Sequence, residues 1–213
     1  MKKLIYFTIL FLMFAMTAIS CDNCCKSNNG ECGVNATDAV ITNIMTRTSV
    51  RQFTDRAISA DTLENILKAG MAAPTAVNKQ PWAFVVVTER EILDSLMAEH
   101  PYSNLKTATA AIIVCGDMDL ALEGAAREYW VQDCSAVTEN ILLAAHAYGL
   151  GAVWCGVYPN PERIPGVTRV LGLPEHIIPL NIISMGYPAA EQAPKDKWDP
   201  AKVRYQRWTN DEE

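Results

Sequence analysis

The sequence predicts a mixed domain in which strands alternate with helices around a central sheet. Two unbroken apolar runs rich in β-branched residues, 83–88 and 110–115, are typical of strands covered on both faces. The segment between them, residues 89–99, has a helical pattern, and residues 123–148 place apolar side chains three and four positions apart. We therefore expect a sheet with one long core helix packed against it.

Two helices are predicted before the first strand. Residues 38–45 have apolar side chains on one face, and residues 59–70 give the stronger pattern, with Ser59 or Asp61 as the N-cap. The first of these helices leads directly into a segment rich in arginine and hydroxyl side chains.

Two further strands and a short helix are predicted after the core helix. Residues 152–157 and 177–185 are apolar runs, and residues 161–171 between them have a helical pattern. Pro179 implies that the last strand is an edge strand or contains a bulge. The tail from residue 188 onward has no apolar period but carries three large aromatic side chains, which we expect to wrap around a partner subunit: Trp198, Tyr205 and Trp208.

Composition favours one acidic domain. The chain has 213 residues, half of them apolar, which suffices for one good core. Its formal net charge is −6, and no basic stripe is present, which excludes a typical nucleic-acid-binding protein.

The N-terminus has the plan of an export signal. Lys2 and Lys3 precede an uncharged run that extends from residue 4 to residue 20 and then meets Cys21. That run is shorter than the ~20 apolar residues that span a bilayer comfortably. The segment A-I-S-C at residues 18–21 resembles the bacterial lipoprotein box, so we expect lipidation of Cys21 and a membrane-anchored, exported protein.

These features divide the chain into a signal peptide (1–20), a flexible tether (21–37) and a folded domain (38–213). The tether holds Cys24, Cys25 and Cys32, two of which can pair in an oxidising compartment, and a metal site there is the less favoured alternative. The other three cysteines lie in apolar segments and are interpreted as small buried hydrophobic residues: Cys115, Cys134 and Cys155.

The strongest functional signal is a pair of short tracts. R-T-S-V-R at residues 47–51 places two guanidinium groups and two hydroxyls together, as in a clamp for an anion. The tract A-P-T-A-V-N-K-Q-P-W at residues 73–82 is rich in amides and stiffened by two prolines. Together they suggest a bound flavin mononucleotide (FMN), which has a dianionic phosphate and a polar pyrimidine edge.

At this point the chain resembles the FMN-dependent nitroreductases, over about residues 40–208. The resemblance rests on these two tracts together with A-A-H-A-Y-G-L-G-A-V-W at residues 144–154 and M-G-Y-P-A at residues 185–189. It implies an α+β fold with a mostly antiparallel central sheet flanked by helices, in an intertwined homodimer. No protein acid or base is obligatory for the implied chemistry.

The resemblance also implies roles for individual residues. Arg47 and Ser49, beside Thr48, would hold the phosphate, over which Lys195 and Lys197 would close. Arg51 is the nearest to a catalytic side chain, because a cation near flavin N1 favours the reduced anionic ring. The remaining positions implied at the flavin ring are Pro74, Thr75, Asn78, Gln80, Gly156 and Val157, the last two through their backbone N–H groups near N5.

The implied reaction is the transfer of electrons from NADH or NADPH, through FMN, to a nitroaromatic, a quinone or a related acceptor in two separate half-reactions. Two alternatives stay open. One is specialised flavin chemistry in the same fold, such as dehalogenation or azoline oxidation. The other is a membrane-tethered flavin-binding protein that relays electrons. Trp82 is expected to pack in the core, and His146 to be a hydrogen-bonded helix residue.

Overall fold

Helices and strands alternate along residues 35–208, the part of the chain that the computed structural model describes. The predicted signal peptide, Cys21 and most of the tether lie outside the described residues. In chain order the elements are α1 (Ala36–Thr46), α2 (Ala60–Met71), β1 (Trp82–Val87), α3 (Arg90–Glu99), β2 (Ala110–Asp117), α4 (Tyr129–Ala147), β3 (Gly151–Gly156), α5 (Ile164–Leu171) and β4 (Ile177–Gly186).

The four strands form one sheet in the order β1-β2-β4-β3, and every neighbouring pair is antiparallel. This arrangement confirms the predicted α+β architecture. Pro179 lies in β4, a central strand, so the edge-strand alternative is wrong. The bulge alternative is confirmed, because Val114 pairs with Asn181 while Cys115 pairs with Pro179, which leaves Leu180 as the extra residue.

Two hydrophobic cores cover the two faces of the sheet. Ile112 and Val114 of β2 pack with α2 and α4 on one face, and Ile113 packs with α3 and α5 on the other. β2 therefore matches the prediction of a strand covered on both faces. The same prediction is wrong for β1, which lies at the sheet edge and leaves Val86 40% exposed.

The predicted bounds of α1, α2 and α3 agree with the structure to within two residues. Ser59 is the N-cap of α2, and its hydroxyl accepts a hydrogen bond from the N–H of Thr62. The predicted core helix begins later than expected, since residues Gly124–Glu128 form a 3-10 turn before α4. None of the helices between residues 35 and 208 is long and apolar enough to span a bilayer.

Residues 49–54 lie across the ends of β3 and β4 and depend on two glycines. The N–H of Val50 donates to the carbonyl of Ala152 at 3.1 Å, and the N–H of Thr54 donates to that of Tyr187 at 2.8 Å. Gly151 and Gly186 face each other across the two strands beneath this segment. A Cβ atom on Gly151 would lie 2.6 Å from Cβ of Val50, and one on Gly186 would lie 2.8 Å from Cβ of Phe53.

Two apolar surfaces remain exposed in the single chain. The apolar face of α1 is 47–66% exposed, and α1 has no buried residue. The three tail aromatics, Trp198, Tyr205 and Trp208, are more than 70% exposed. Surfaces of this kind are typical of protein–protein contacts.

We predict that Gly151→Ala destabilises the protein by about 1–3 kcal/mol, because the added methyl group meets the buried Val50 side chain. Urea denaturation of the protein without cofactor measures this loss. Gly156→Ala is the matched control, since no atom lies within 4 Å of the position of its Cβ, and we expect a change within about 0.5 kcal/mol. Equal stability of the two variants would contradict the close approach of residues 49–54 to β3.

Candidate functional site

A cavity of about 470 Å³ brings together the two basic segments that the sequence singled out. The clamp and the late lysine pair, more than 140 residues apart in the chain, line the same space. Apolar side chains of α1 and Trp198 of the tail complete the wall. The four cationic side chains that line it are Arg47, Arg51, Lys195 and Lys197, with the hydroxyls of Thr48 and Ser49 beside them.

Arg47 is held in place by α4. Its Nε lies 3.5 Å from Oε1 of Glu139, and its side chain is only 17% exposed. The ion pair uses the Nε edge of the guanidinium fork and so fixes the direction in which the fork points. Arg51 is exposed, and its Nη1 donates to the carbonyl of Ser49 at 3.4 Å. The role of Glu139 was not predicted from the sequence.

The end of α1 is also fixed to α4, just before the clamp. Thr46 Oγ1 lies 2.9 Å from Nε2 of His146, and Nδ2 of Asn43 donates to the carbonyl of Leu143 at 3.0 Å. Burial and the neighbouring Arg47 cation lower the pKa of His146. The prediction that His146 is a hydrogen-bonded helix residue is therefore confirmed, and its partner positions the start of the clamp.

The amide-rich tract adopts an unusual backbone. Val77, Asn78 and Gln80 have φ angles of 51°, 56° and 51°, in the left-handed region. This conformation is an outlier for a β-branched residue such as Val77, and such strain concentrates at functional sites. The tract is ordered by its own side chains: Thr75 Oγ1 accepts from the N–H of Gln80 at 3.1 Å, and Gln80 Nε2 donates to Asn78 Oδ1 at 3.0 Å.

Asp133 of α4 holds the amide-rich tract in place through a hydrogen bond to its backbone. Its Oδ1 accepts a hydrogen bond of 2.8 Å from the N–H of Ala76, and Asp133 is buried. This contact was not predicted, because the apolar period of α4 identifies its core-facing residues and carries no information about the partner of Asp133. Trp82, directly after the tract, packs against the core as predicted.

The tract and the cationic cavity are separate in the single chain. Thr75, Asn78 and Gln80 are not among the residues that line the cavity, and neither are Pro74 and Gly156. The structure thus brings the predicted phosphate-binding residues and Arg51 to one cavity, and the residues predicted at the flavin ring are not among those that line it.

The two backbone N–H groups predicted near flavin N5, those of Gly156 and Val157, point in different directions. The N–H of Val157 donates to the carbonyl of Leu180 at 2.9 Å, and Val157 is fully buried. Val157 therefore does not offer the expected donor. Along an antiparallel ladder, residues alternate between facing the partner strand and facing away from it. Because Val157 faces β4, Gly156 faces away, and its N–H points to the open side of this edge strand.

The carbonyl oxygen of Gly156 accepts two side-chain hydrogen bonds. Nε2 of His100 and Nη1 of Arg163 each lie 2.9 Å from it. His100 is 1% exposed, and burial together with the nearby Arg163 cation lowers its pKa. The neutral imidazole with its proton on Nε2 is the form that donates to the carbonyl. No sequence signal pointed to these two contacts of Gly156.

The three cysteines of the folded domain are buried thiols, as predicted. Burial raises the pKa of Cys115 to about 12, so this thiol stays protonated and unreactive near neutral pH.

Comparison with known proteins is consistent with this geometry. A model of the nitroreductase family matches residues 44–110 and 97–187, more than half of the chain. The chain belongs to the nitroreductase family. A relative from Methanothermobacter thermautotrophicus, provisionally named NADH dehydrogenase/NAD(P)H nitroreductase, is 44% identical over 171 residues, which cover 79% of this chain and 87% of the relative.

Solved structures extend the likeness to the fold of the nitroreductase family. A protein from Bacteroides thetaiotaomicron with the same provisional name superposes with a TM-score of 0.75 at 42% identity, covering 83% of this chain and 100% of the other. An FMN-dependent nitroreductase from Clostridium difficile superposes with a TM-score of 0.72 at 27% identity, covering 79% and 99%. The protein is thus an oxidoreductase of the nitroreductase family.

We predict that Asp133→Ala destabilises this nitroreductase-family protein by about 1–3 kcal/mol, because the N–H of Ala76 loses a charged acceptor. Asp133→Asn, which keeps an acceptor oxygen of the same reach, should lose clearly less. Urea denaturation measures both variants, and hydrogen exchange at Ala76 should accelerate in the alanine variant alone. Identical stability and exchange in the two variants would show that Asp133 does not anchor the tract.

Proposed function

We propose that the protein binds FMN and uses it to pass electrons from NADH or NADPH to an electron-poor acceptor such as a nitroaromatic or a quinone. The observation that carries the proposal is the cavity in which Arg47, Arg51, Lys195 and Lys197 converge. A chain with a net charge of −6 places four cations and one carboxylate, Asp196, around this space. A phosphate dianion is the chemical group that such a space favours.

The donors in the cavity suit the phosphate end of FMN. Arg47 presents a planar fork that is oriented by Glu139, and Ser49 and Thr48 add hydroxyl donors. Lys195 and Lys197 approach from the tail and can neutralise the second negative charge. Arg51, two residues beyond Ser49, is the cation assigned to the pyrimidine end of the ring, where negative charge accumulates on reduction.

The amide tract and β3 supply groups that suit the flavin ring. Asn78 and Gln80 offer both amide donors and acceptors for a C=O and an N–H, and Thr75 and Pro74 shape the backbone that carries them. Gly156 offers an outward N–H with open space where a Cβ would stand. The absence of a side chain there allows a flat ring to approach the backbone closely.

FMN supplies the redox chemistry when bound, accepting electrons from the nicotinamide and releasing them to the acceptor. The protein's own residues anchor the phosphate, orient the ring and set its electrostatic surroundings. Arg51 stabilises negative charge at one end of the ring, and the Gly156 N–H provides a donor at β3. No side chain has to transfer a proton.

We also propose that the cofactor site is completed in a homodimer. The exposed apolar face of α1 borders the cavity through Ile44 and Met45, and the exposed Trp198 of the tail lies on its other side. A second copy that covers these surfaces would bring its own amide tract to the phosphate end of the first. Light scattering after size exclusion should give twice the mass of one chain.

Export is a further part of this proposal. It is supported by the N-terminal sequence, in which Lys2 and Lys3 precede an uncharged run that ends at Cys21. We propose a bacterial membrane-anchored lipoprotein. Mass spectrometry of the membrane fraction, with Cys21→Ala as control, should detect a lipid-modified Cys21 and lose it in the variant. A full-length N-terminus in the soluble fraction would contradict export.

The experiment that tests the proposed function is an absorption spectrum of the purified protein followed by anaerobic titration with NADH and NADPH. We expect a yellow protein that binds FMN and whose flavin absorbance falls when NADH, NADPH or both are added. A protein that binds FMN but is not reduced quickly by either would support the electron-relay alternative. A colourless protein that does not bind added FMN would refute the proposal.

Arg47→Ala and Arg51→Ala should change different properties: the first the affinity for FMN, the second mainly the potential of the bound flavin. Arg47→Ala removes a charged hydrogen bond to the phosphate, worth about 1.5–3 kcal/mol, and should weaken FMN binding by about 10- to 100-fold. Arg51→Ala should retain more flavin but lower its potential, because the reduced anionic ring loses its cation. Fluorescence titration and dye-equilibrated potentials measure the two effects.

Arg169→Ala is the matched control for both variants, since Arg169 is an exposed arginine that pairs with Glu99 on the surface. It should leave FMN affinity and potential unchanged. If Arg47→Ala binds FMN as tightly as this control, the phosphate assignment is wrong.

A further inference from the structure

We propose that His100 and Arg163 are positioning residues that hold the carbonyl oxygen of Gly156 between them and thereby aim the Gly156 N–H at the bound flavin. Both donors lie 2.9 Å from this oxygen, and they come from different parts of the chain. His100 follows α3, and Arg163 precedes α5. The inference rests on the proposed function, since it concerns how the protein presents one backbone donor to the cofactor.

The geometry of β3 links the oxygen to the N–H. In an extended strand, the N–H and C=O of one residue point to the same side. Ala152 and Gly156 are four residues apart in β3, so both face away from β4. Ala152 satisfies its outward carbonyl with the N–H of Val50. Gly156 satisfies its own with His100 and Arg163, and these two bonds hold Gly156 in the extended conformation in which its N–H points to the same side.

Gly156 needs this support more than other strand residues. A glycine has the widest conformational freedom of any residue, and Gly156 is the last residue of β3 on an open edge of the sheet. Its neighbour Val157 is already pinned to Leu180 on the other side. The two side-chain donors therefore hold the residue from the side that β4 does not reach.

His100 is itself placed by a second pair of contacts. The turn that follows it, Pro101–Ser103, offers the carbonyl of Ser103 to the Cys155 thiol at 3.0 Å and to the Ser184 hydroxyl. Cys155 and Ser184 lie in β3 and β4, so the sheet that carries Gly156 also positions the imidazole. Among residues 35–208 no group bonds to Nδ1 of His100, which fits a neutral ring whose one proton is on Nε2.

Arg163 brings a full positive charge to the carbonyl oxygen of Gly156, the atom that His100 also contacts. Its guanidinium also lies 5.8 Å from the ring centroid of Tyr102, in the turn after His100. The His100 turn and the start of α5 thus contact each other as well as Gly156. A donor fixed in this way is preorganised, so little reorganisation is needed when an acceptor arrives.

The expected consequence is a change in flavin potential with a definite sign. An N–H aimed at N5 would bond to the lone pair of the oxidised ring, an acceptor that the reduced ring lacks there, and would therefore favour the oxidised form. Removing the neutral His100 side chain should raise the potential, the opposite of the change expected for Arg51→Ala. Arg163→Met also removes a cation, which lowers the potential, so its effect is measured on the Gly156 amide itself.

The test compares His100→Leu and Arg163→Met with the rescue variants His100→Gln and Arg163→Lys, which restore an N–H donor of similar reach. Arg169→Met is the control, because Arg169 pairs with Glu99 without contacting Gly156. Dye-equilibrated titration of each FMN-loaded variant should show a more positive potential in His100→Leu, a return toward wild type in His100→Gln, and no change in the control. An unchanged potential in His100→Leu would overturn the inference.

A cofactor-free measurement keeps this test independent of the proposed function. In protein labelled with ¹⁵N-glycine, the Gly156 amide signal is identified by its loss in Gly156→Ala. It should move in His100→Leu and Arg163→Met but not in Arg169→Met. A signal that stays in place would refute the positioning role even if FMN binds. Failure of the wild-type protein to bind FMN would instead refute the proposed function.

Discussion

The close approach of residues 49–54 to the paired glycines of β3 and β4 is the constraint on which the site depends. Gly151 and Gly186 face each other, and the side chains of Val50 and Phe53 fill the space that two Cβ atoms would take. Only this approach lets the N–H of Val50 reach Ala152. The backbone between the basic residues is then part of the sheet's edge, so Arg47 and Arg51 project from a rigid support.

α4 supplies the second support, through polar residues within an otherwise apolar helix. Asp133 holds the amide tract, Glu139 holds Arg47, and His146 holds the end of α1. Glu139 and His146 are seven residues apart and therefore lie on the same face of the helix. A single core helix thereby fixes three segments that are otherwise joined only by loops, and it links the packing of the core directly to the geometry of the proposed cofactor site.

The sequence predicts features whose pattern lies within a few neighbouring residues, and it does not predict contacts between residues that are far apart in the chain. The periods of α2 and β2 and the basic clamp are readable because each lies within a few residues of sequence. Ala76, Arg47 and Gly156 have partners 57, 92 and 56 positions away, in Asp133, Glu139 and His100, and only the folded chain brings them close. Val157 illustrates the same limit, because the direction of its N–H depends on its pairing with Leu180 of β4. The exposure of β1 likewise follows from strand order, which composition does not encode.

The composition of the cavity wall has a physical consequence for assembly. The cavity is lined by the cations, whereas no residue of the amide tract is among those that line it. An FMN anchored only at its phosphate would leave its ring exposed beside the apolar residues of α1 and Trp198. Covering those residues with a second copy would bury apolar surface and supply polar partners for the ring at the same time. On this argument, dimer formation and cofactor binding are coupled, and each should stabilise the other by mass action.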